Sequence, residues 1–173
     1  MPADIVIRYA RREDAAAFAR IYEYYVEKTA VTFDCTARSV EGFEELVDAV
    51  SATYPFLVAE IDGAVAGYAY AARFRRQAAY DACVELSIYL DREFTRTGIG
   101  TELYAELERR LRDQGITNLY ACISYPNEVD EYLGYGSVRF HEHLGFKIVG
   151  LFHDCGCKFG RTYSMVWMEK LVG

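Results

Sequence analysis

The chain has 173 residues, 52% of them apolar, and a formal net charge of −7. That length suits one domain with a full core, and so apolar a composition excludes a disordered chain. The acidic balance weighs against duplex DNA or an anionic membrane surface as a partner, since both want a basic face, and no apolar run approaches a membrane span.

The opening stretch, MPADIVIRYARRED, lacks the basic-then-apolar order of a secretory leader, so a cytoplasmic protein is expected. Within it IVIRY alternates and is predicted as a first strand. Residues Glu13 to Lys28 place Phe18, Ile21, Tyr22 and Tyr25 at helical spacing behind acids in the first turn. Ser39 reads as the N-cap of a second helix that carries Phe43, Leu46, Val47 and Val50. FLVAEIDGAVAGYAYAA reads as two strands joined at Asp62-Gly63, a strong hairpin signal. A strand from Ala82 to Leu90 follows, then a glycine-rich turn. The turn opens a helix that buries Ile99, Leu103, Leu107 and Leu111, pairs Glu106 with Arg110 and Glu108 with Arg112, and stops at Gly115. NLYACIS is the next strand, Ser137 to Leu144 a short helix ending at Gly145, and FKIVGLF and YSMVWMEKL are two closing strands. The order predicts a mixed α/β (α+β) fold: a single domain, 1–173, with a largely antiparallel sheet, flanking helices and one internal β-α-β step.

Two segments hold their alternatives open. Asn127 to Ser137, NEVDEYLGYGS, is either a solvated loop or a lid. The five cysteines, an odd number scattered through apolar stretches, suit reduced thiols. HDCGC offers His153, Cys155 and Cys157, but structural zinc wants a second cysteine pair, so no metal is expected.

The glycine turn lies in RTGIGTELYAELERRL, starting at Arg96. A nucleoside triphosphate loop needs Gly-Lys followed by Ser or Thr, and Gly100 is followed by Thr101. A dinucleotide fingerprint needs a third glycine where Leu103 stands. Two readings remain: a plain strand-to-helix turn, or a pyrophosphate loop of an acyl-CoA enzyme, which uses backbone amides and needs no lysine. Upstream, Glu85 alternates with Ser87 and Tyr89 on one strand face, while Val84, Leu86, Ile88 and Leu90 take the other. A carboxylate inside so apolar a strand is either an ion-pair member or a functional base.

YPFLVAEIDGAVAGYAYA, AYDACVELSIYL, GIG and SVRFHEHLGF occur in that order, followed by CKFGRTYSMVWMEK. This set resembles the GNAT superfamily of N-acetyltransferases, and more closely its phosphinothricin and methionine sulfone or sulfoximine acetyltransferase branch. The resemblance implies acetyl-CoA as cosubstrate, a small-molecule amine acceptor and a homodimer. It implies that Ile88, Tyr89 and Leu90 run along the pantetheine arm, and that Arg96, Thr97, Gly98, Ile99, Gly100 and Thr101 wrap the pyrophosphate. Asn127 and Ser137 would bond the coenzyme further along. Phe33, Arg75, Arg76 and Tyr80 would meet the acceptor.

Glu85 matches the family's general base and His141 the histidine near the thioester. Amide formation needs a neutral amine, and an α-amino group has a pKa of about 8, so a base must take its proton. Glu85 is one candidate and His141 the other; His141 could instead protonate the departing thiolate, or be a helix histidine bonded to a carbonyl. Departures from the branch bear on the acceptor. Thr95 stands where Gln or Arg is frequent, Gln77 replaces an arginine ahead of Tyr80, Thr162-Tyr163-Ser164 replaces Trp-His-Asp, and the stretch after Asn127 is longer. With Gln77 there, a neutral sulfone-type head is expected over a phosphinate. Acetylation of a protein N-terminus or lysine, and a non-catalytic acyl-CoA sensor, are the competing readings.

Overall fold

A computed structural model of the chain describes residues 4–173; the first three residues of the opening stretch lie outside the described residues. Its strands are β1 (Ile5–Tyr9), β2 (Phe56–Ile61), β3 (Ala64–Arg73), β4 (Cys83–Leu90), β5 (Asn118–Tyr125), β6 (Lys147–Lys158) and β7 (Arg161–Leu171). Its helices are α1 (Ala15–Lys28), α2 (Val40–Ser51), α3 (Ile99–Asp113) and α4 (Gly136–His143). The strands form one sheet in the order β1-β2-β3-β4-β5-β7-β6. Every neighbouring pair is antiparallel except β4 and β5, the two strands joined through α3.

The alternation of β2 shows why the sheet has two covered faces. Leu57, Ala59 and Ile61 pack under α3, while Phe56 and Val58 point the other way, into a cluster with Phe18 of α1 and Phe43 of α2. On α3, Ile99, Leu103, Leu107 and Leu111 are fully buried, each worth about 1.5–3 kcal/mol relative to exposure. The flanks of that buried stripe carry Arg110–Glu106 at 2.7 Å and Arg112–Glu108 at 3.8 Å. Ser39 caps α2, its Oγ accepting from the Gly42 N–H at 3.0 Å. The β2–β3 hairpin turns on Asp62 and Gly63, both with positive φ (51° and 80°), as a tight two-residue turn demands.

Element ends differ from the sequence reading at several places, by one or two residues at most except in β6. A single 3-10 turn, Arg12–Asp14, precedes α1, which starts at Ala15 rather than Glu13. Helix α4 runs one residue earlier than expected. Strand β6 continues past FKIVGLF to Lys158, because a second positive-φ pair, Phe159 and Gly160 (53° and 68°), turns it directly into β7. His153, Cys155 and Cys157 are therefore exposed positions within that strand. Among the described residues no group of three or more His, Cys, Asp or Glu side chains is placed to hold a metal ion.

The 127–137 segment, left open in sequence between a solvated loop and a lid, is pinned by hydrogen bonds and packing. Asp130 accepts from the N–H groups of Tyr132 and Leu133 at 2.8 and 2.9 Å and from the Tyr163 hydroxyl at 2.7 Å. Burial opposes its charge, yet these bonds and Arg161 hold its carboxyl down to about 2. Leu133 is buried against Ala30 and Tyr163.

Candidate active site

The sheet opens where its one parallel pair fails. β4 and β5 are paired only from Cys83↔Asn118 to Glu85↔Tyr120. Beyond that point β4 follows β3 as far as Leu90↔Gly67, and β5 follows β7 as far as Tyr125↔Ser164, so the strands diverge. A cleft of about 380 Å³ fills the gap. Leu86–Tyr89 form one wall and Ala121–Ser124 the other. Ser137 and His141 of α4 and Tyr104 of α3 meet it on one side, and Thr32, Phe33 and Asp34 close it on the opposite side.

The wall made by β4 is a row of backbone groups. The Asp91 N–H donates to the Ala66 carbonyl at 2.9 Å, which sets the phase of the β3–β4 ladder. Glu85, Ser87 and Tyr89 exchange bonds with β3; Ile88 and Leu90 turn their N–H and C=O groups toward the gap. The Leu90 carbonyl accepts from the Tyr25 hydroxyl at 2.6 Å. The Leu90 N–H and both groups of Ile88 have no strand partner. They can bond an extended amide-bearing chain as a fourth strand neighbour would.

Glu85 projects from the same strand with no hydrogen bond or ion pair from any described side chain. Burial raises its carboxyl above the usual value, and the nearby charge of Arg75 partly offsets this. An unpaired, raised carboxylate at a cleft is a proton acceptor closer to neutrality than an ordinary glutamate. Cys122 also lines the cleft as an exposed residue; desolvation of its sulfur, aided by the charge of Glu85, pushes the thiol up to about 12 and disfavours the thiolate, and among the described residues its one hydrogen-bond contact is Met165 Sδ.

His141 is 3% exposed. Its Nδ1 lies 2.8 Å from the Ser137 carbonyl and its Nε2 3.0 Å from the Tyr104 hydroxyl. Burial lowers its pKa to about 4, the Ser137 bond opposing. On the opposite side of the cleft the Tyr22 hydroxyl donates to Asp34 at 2.5 Å and lies 3.0 Å from Thr32 Oγ1.

At the end of β4 the chain turns through Arg96 (φ 64°) and Gly98 (φ 87°), two left-handed residues, into the first turn of α3. Among the described residues the N–H groups of Arg96 through Gly100 donate to no backbone or side-chain acceptor. Thr95 and Thr97 turn their own hydroxyls back on the loop, donating to the carbonyls of Arg92 and Phe94 at 3.0 and 2.6 Å. Successive free N–H groups at the positive end of a helix make an anion cradle. The two glycines serve different ends. A Cβ on Gly98 would meet no atom within 4 Å, so that glycine answers to its φ; one on Gly100 would come within 3.1 Å of Phe140 and 3.2 Å of Leu90, so that glycine answers to packing.

The structure brings Phe33, Glu85, Ile88, Tyr89, Ser137 and His141 to one cleft, with the 96–101 loop beyond its end. It does not bring Asn127 there. That side chain donates to Asp154 at 2.6 Å and accepts from Ser164 at 2.8 Å, on the β6–β7 hairpin. Arg75 and Arg76 line a shallow depression beside the cleft, and Arg76 faces solvent. Arg75 lies over the Phe74 ring at 4.3 Å, and Tyr80 packs on the same ring at 6.0 Å. Sequence reasoning missed Tyr104, Tyr22 and Asp34. Tyr104 follows Leu103 on a buried helix stripe and could have been found as the polar member of that stripe; the partners of Tyr22 and Asp34 depend on loop geometry and left no signal.

A groove of about 390 Å³ between α3 and the end of α4 shares Leu86 and Tyr104 with the cleft. Its charged rim is largely self-paired, as by Lys170 and Glu108 at 2.5 Å.

The chain matches the acetyltransferase (GNAT) domain family over residues 7–167. It is 34% identical over 166 residues to a phosphinothricin N-acetyltransferase of Streptomyces viridochromogenes, covering 96% of this chain and 87% of the relative. It is 29% identical to an L-methionine sulfoximine/L-methionine sulfone acetyltransferase of Salmonella typhimurium, covering 95% of this chain and 93% of that protein. A solved GNAT superfamily phosphinothricin acetyltransferase from Sinorhizobium meliloti, in complex with AcCoA, superposes with a TM-score of 0.88 at 32% identity, covering 100% of this chain and 90% of that one.

Proposed function

The chain belongs to the GNAT acetyltransferase family, and on that premise we propose that it transfers acetyl from acetyl-CoA to the amino group of a small amino acid or amino-acid-like toxin of the methionine sulfone, sulfoximine or phosphinothricin type. The observation that carries this reading is the cleft itself: strand backbone without a strand partner at Ile88 and at the Leu90 N–H, and one unpaired carboxylate, Glu85, beside it.

In this reading the Ile88 and Leu90 backbone groups hold the pantetheine amides, and the free N–H groups of the 96–101 loop hold the pyrophosphate at the start of α3. The thioester then lies between the diverging strands. Glu85 takes the proton of the acceptor ammonium, directly or through one water, and the neutral amine attacks the thioester carbonyl. Backbone N–H groups of β4 stabilise the oxyanion. Collapse expels the CoA thiolate and leaves the amide; the second amine proton leaves with the thiol or with solvent. No acyl-enzyme is needed, in keeping with the upward shift of the Cys122 thiol. Phe33 and Ser137 border the reacting groups. His141 holds Tyr104 in place rather than acting as the base. Arg75 tunes Glu85, and Tyr80 supports Phe74 behind it.

We also infer that the chain acts as a single domain and as a cytoplasmic homodimer. Ile148, Val149, Leu151 and Phe152 leave β6 with an exposed apolar edge, 43–56% accessible, which a second copy would cover. Release of CoA thiol from acetyl-CoA over amino acids, sulfones, phosphinothricin, peptides and polyamines tests the proposed function. Turnover confined to small amino-acid-like acceptors supports it; turnover on peptides alone, or none with acetyl-CoA bound, overturns it.

A further inference from the structure

Lys158 closes β6 at 5% exposure, and no carboxylate of the described residues forms an ion pair with it. Its Nζ donates to the Thr32 carbonyl at 2.8 Å. Its Nζ also lies 5.2 Å from the centre of the Phe159 ring and feels the charge of Asp34, so among the described residues the Thr32 carbonyl is the single hydrogen-bond acceptor of an ammonium that is costly to bury.

That carbonyl belongs to the loop between α1 and α2, whose residues Thr32, Phe33 and Asp34 form the acceptor side of the cleft. The residues just before are held as firmly. The Ala30 N–H donates to the Tyr132 carbonyl at 3.0 Å, and the Val31 carbonyl accepts from Ser124 Oγ at 3.0 Å. The Phe33 ring lies on Gly156, where an added Cβ would come within 2.5 Å of it. Three consecutive residues are thus fastened by the 127–137 segment, by β5 and by β6 in turn. Asp130 in its turn fixes Tyr132 and ties that segment to Tyr163 of β7.

We propose that Lys158 is a positioning residue that holds the acceptor wall Thr32–Asp34 preformed, with the 127–137 segment as the brace that completes the clamp. This rests on the acetyl-transfer reading above. A preformed wall lets a small acceptor meet Glu85 without ordering the loop first, so its loss falls on acceptor binding and not on the coenzyme.

The test uses the full chain with Lys158→Met, Lys158→Arg and Ser124→Ala, measured in two ways. Steady-state kinetics should show Lys158→Met raising acceptor KM by about tenfold, with kcat changed by less than about threefold and acetyl-CoA affinity by calorimetry unchanged. Lys158→Arg, which keeps a donor, should restore most of the loss, and Ser124→Ala should move KM the same way by less. Hydrogen exchange should show the Ala30 and Asp34 amides opening about tenfold faster in Lys158→Met. Wild-type KM and wild-type exchange in folded Lys158→Met overturn the proposal, as does a parallel loss of acetyl-CoA affinity. If Lys158→Met does not fold, Ser124→Ala decides by the same two readouts. If the wild type transfers no acetyl group, the function fails while the exchange data still decide the clamp.

Discussion

The Tyr104 hydroxyl lies 3.0 Å from Nε2 of His141 at the base of the cleft. The Ser137 carbonyl, 2.8 Å from Nδ1, can only accept, so the ring proton resides on Nδ1. Nε2 is then the bare nitrogen, and Tyr104 donates to it. Both ring nitrogens are thus engaged, which in the proposed function leaves Glu85 as the carboxylate to receive the amine proton.

This arrangement makes stability depend on pH in a defined sense. The pKa of His141 falls from 6.5 to about 4 on folding. Because the unfolded state binds the proton more readily, His141 contributes stability above 6.5 that is lost as pH falls toward 4. The full contribution is about 3 kcal/mol. Urea unfolding at pH 7 and near pH 4 should show wild type losing more stability than His141→Gln by about that amount; equal losses would show that His141 does not remain neutral in the folded protein.

The two glycines of the 96–101 loop should separate binding from folding. Gly98→Val places a branched side chain at φ 87° with no protein atom to clash with, so it should reduce acetyl-CoA affinity by more than about tenfold while the protein remains folded. Gly100→Val drives into Phe140 and Leu90 and should lower thermal stability instead, by an amount typical of overpacking, about 1–3 kcal/mol. Calorimetry and thermal melts on the two variants check this. Unchanged affinity in Gly98→Val would remove the loop from coenzyme binding.

The arginines beside the cleft should not be equivalent. Both are exposed, but the charge of Arg75 acts on Glu85, partly offsetting the rise that burial causes, whereas that of Arg76 does not. Arg75→Ala should therefore shift the acidic limb of kcat/KM to higher pH, and Arg76→Ala should leave both that limb and the acceptor KM in place. A large KM effect of Arg76→Ala on methionine sulfone or phosphinothricin would show that it folds over the acceptor after all.

Periodicity made the covered parts of this fold legible. The α3 stripe, the Asp62-Gly63 hairpin and the Ser39 cap each depend on residues adjacent in sequence. So did Glu85, an acid out of place in an apolar strand. The cleft itself was not legible, because the divergence of β4 and β5 results from each strand following a different neighbour. Tyr104 finds His141 only through the packing of α3 on α4. Strand β6 was read too short because, exposed along most of its length, it has little alternation to read. The 127–137 segment stayed open between a solvated loop and a lid because Asp130, Leu133 and Tyr163 are joined only in space.

The most direct measurement is kcat/KM of Glu85→Gln across pH, with acetyl-CoA affinity alongside. The substitution keeps the shape and removes the proton acceptor. It should lower kcat/KM by about 10²- to 10⁴-fold and abolish the acidic limb set by the raised carboxyl, with coenzyme affinity little changed. Near-wild-type turnover at neutral pH, with the acidic limb intact, would contradict Glu85 as the base.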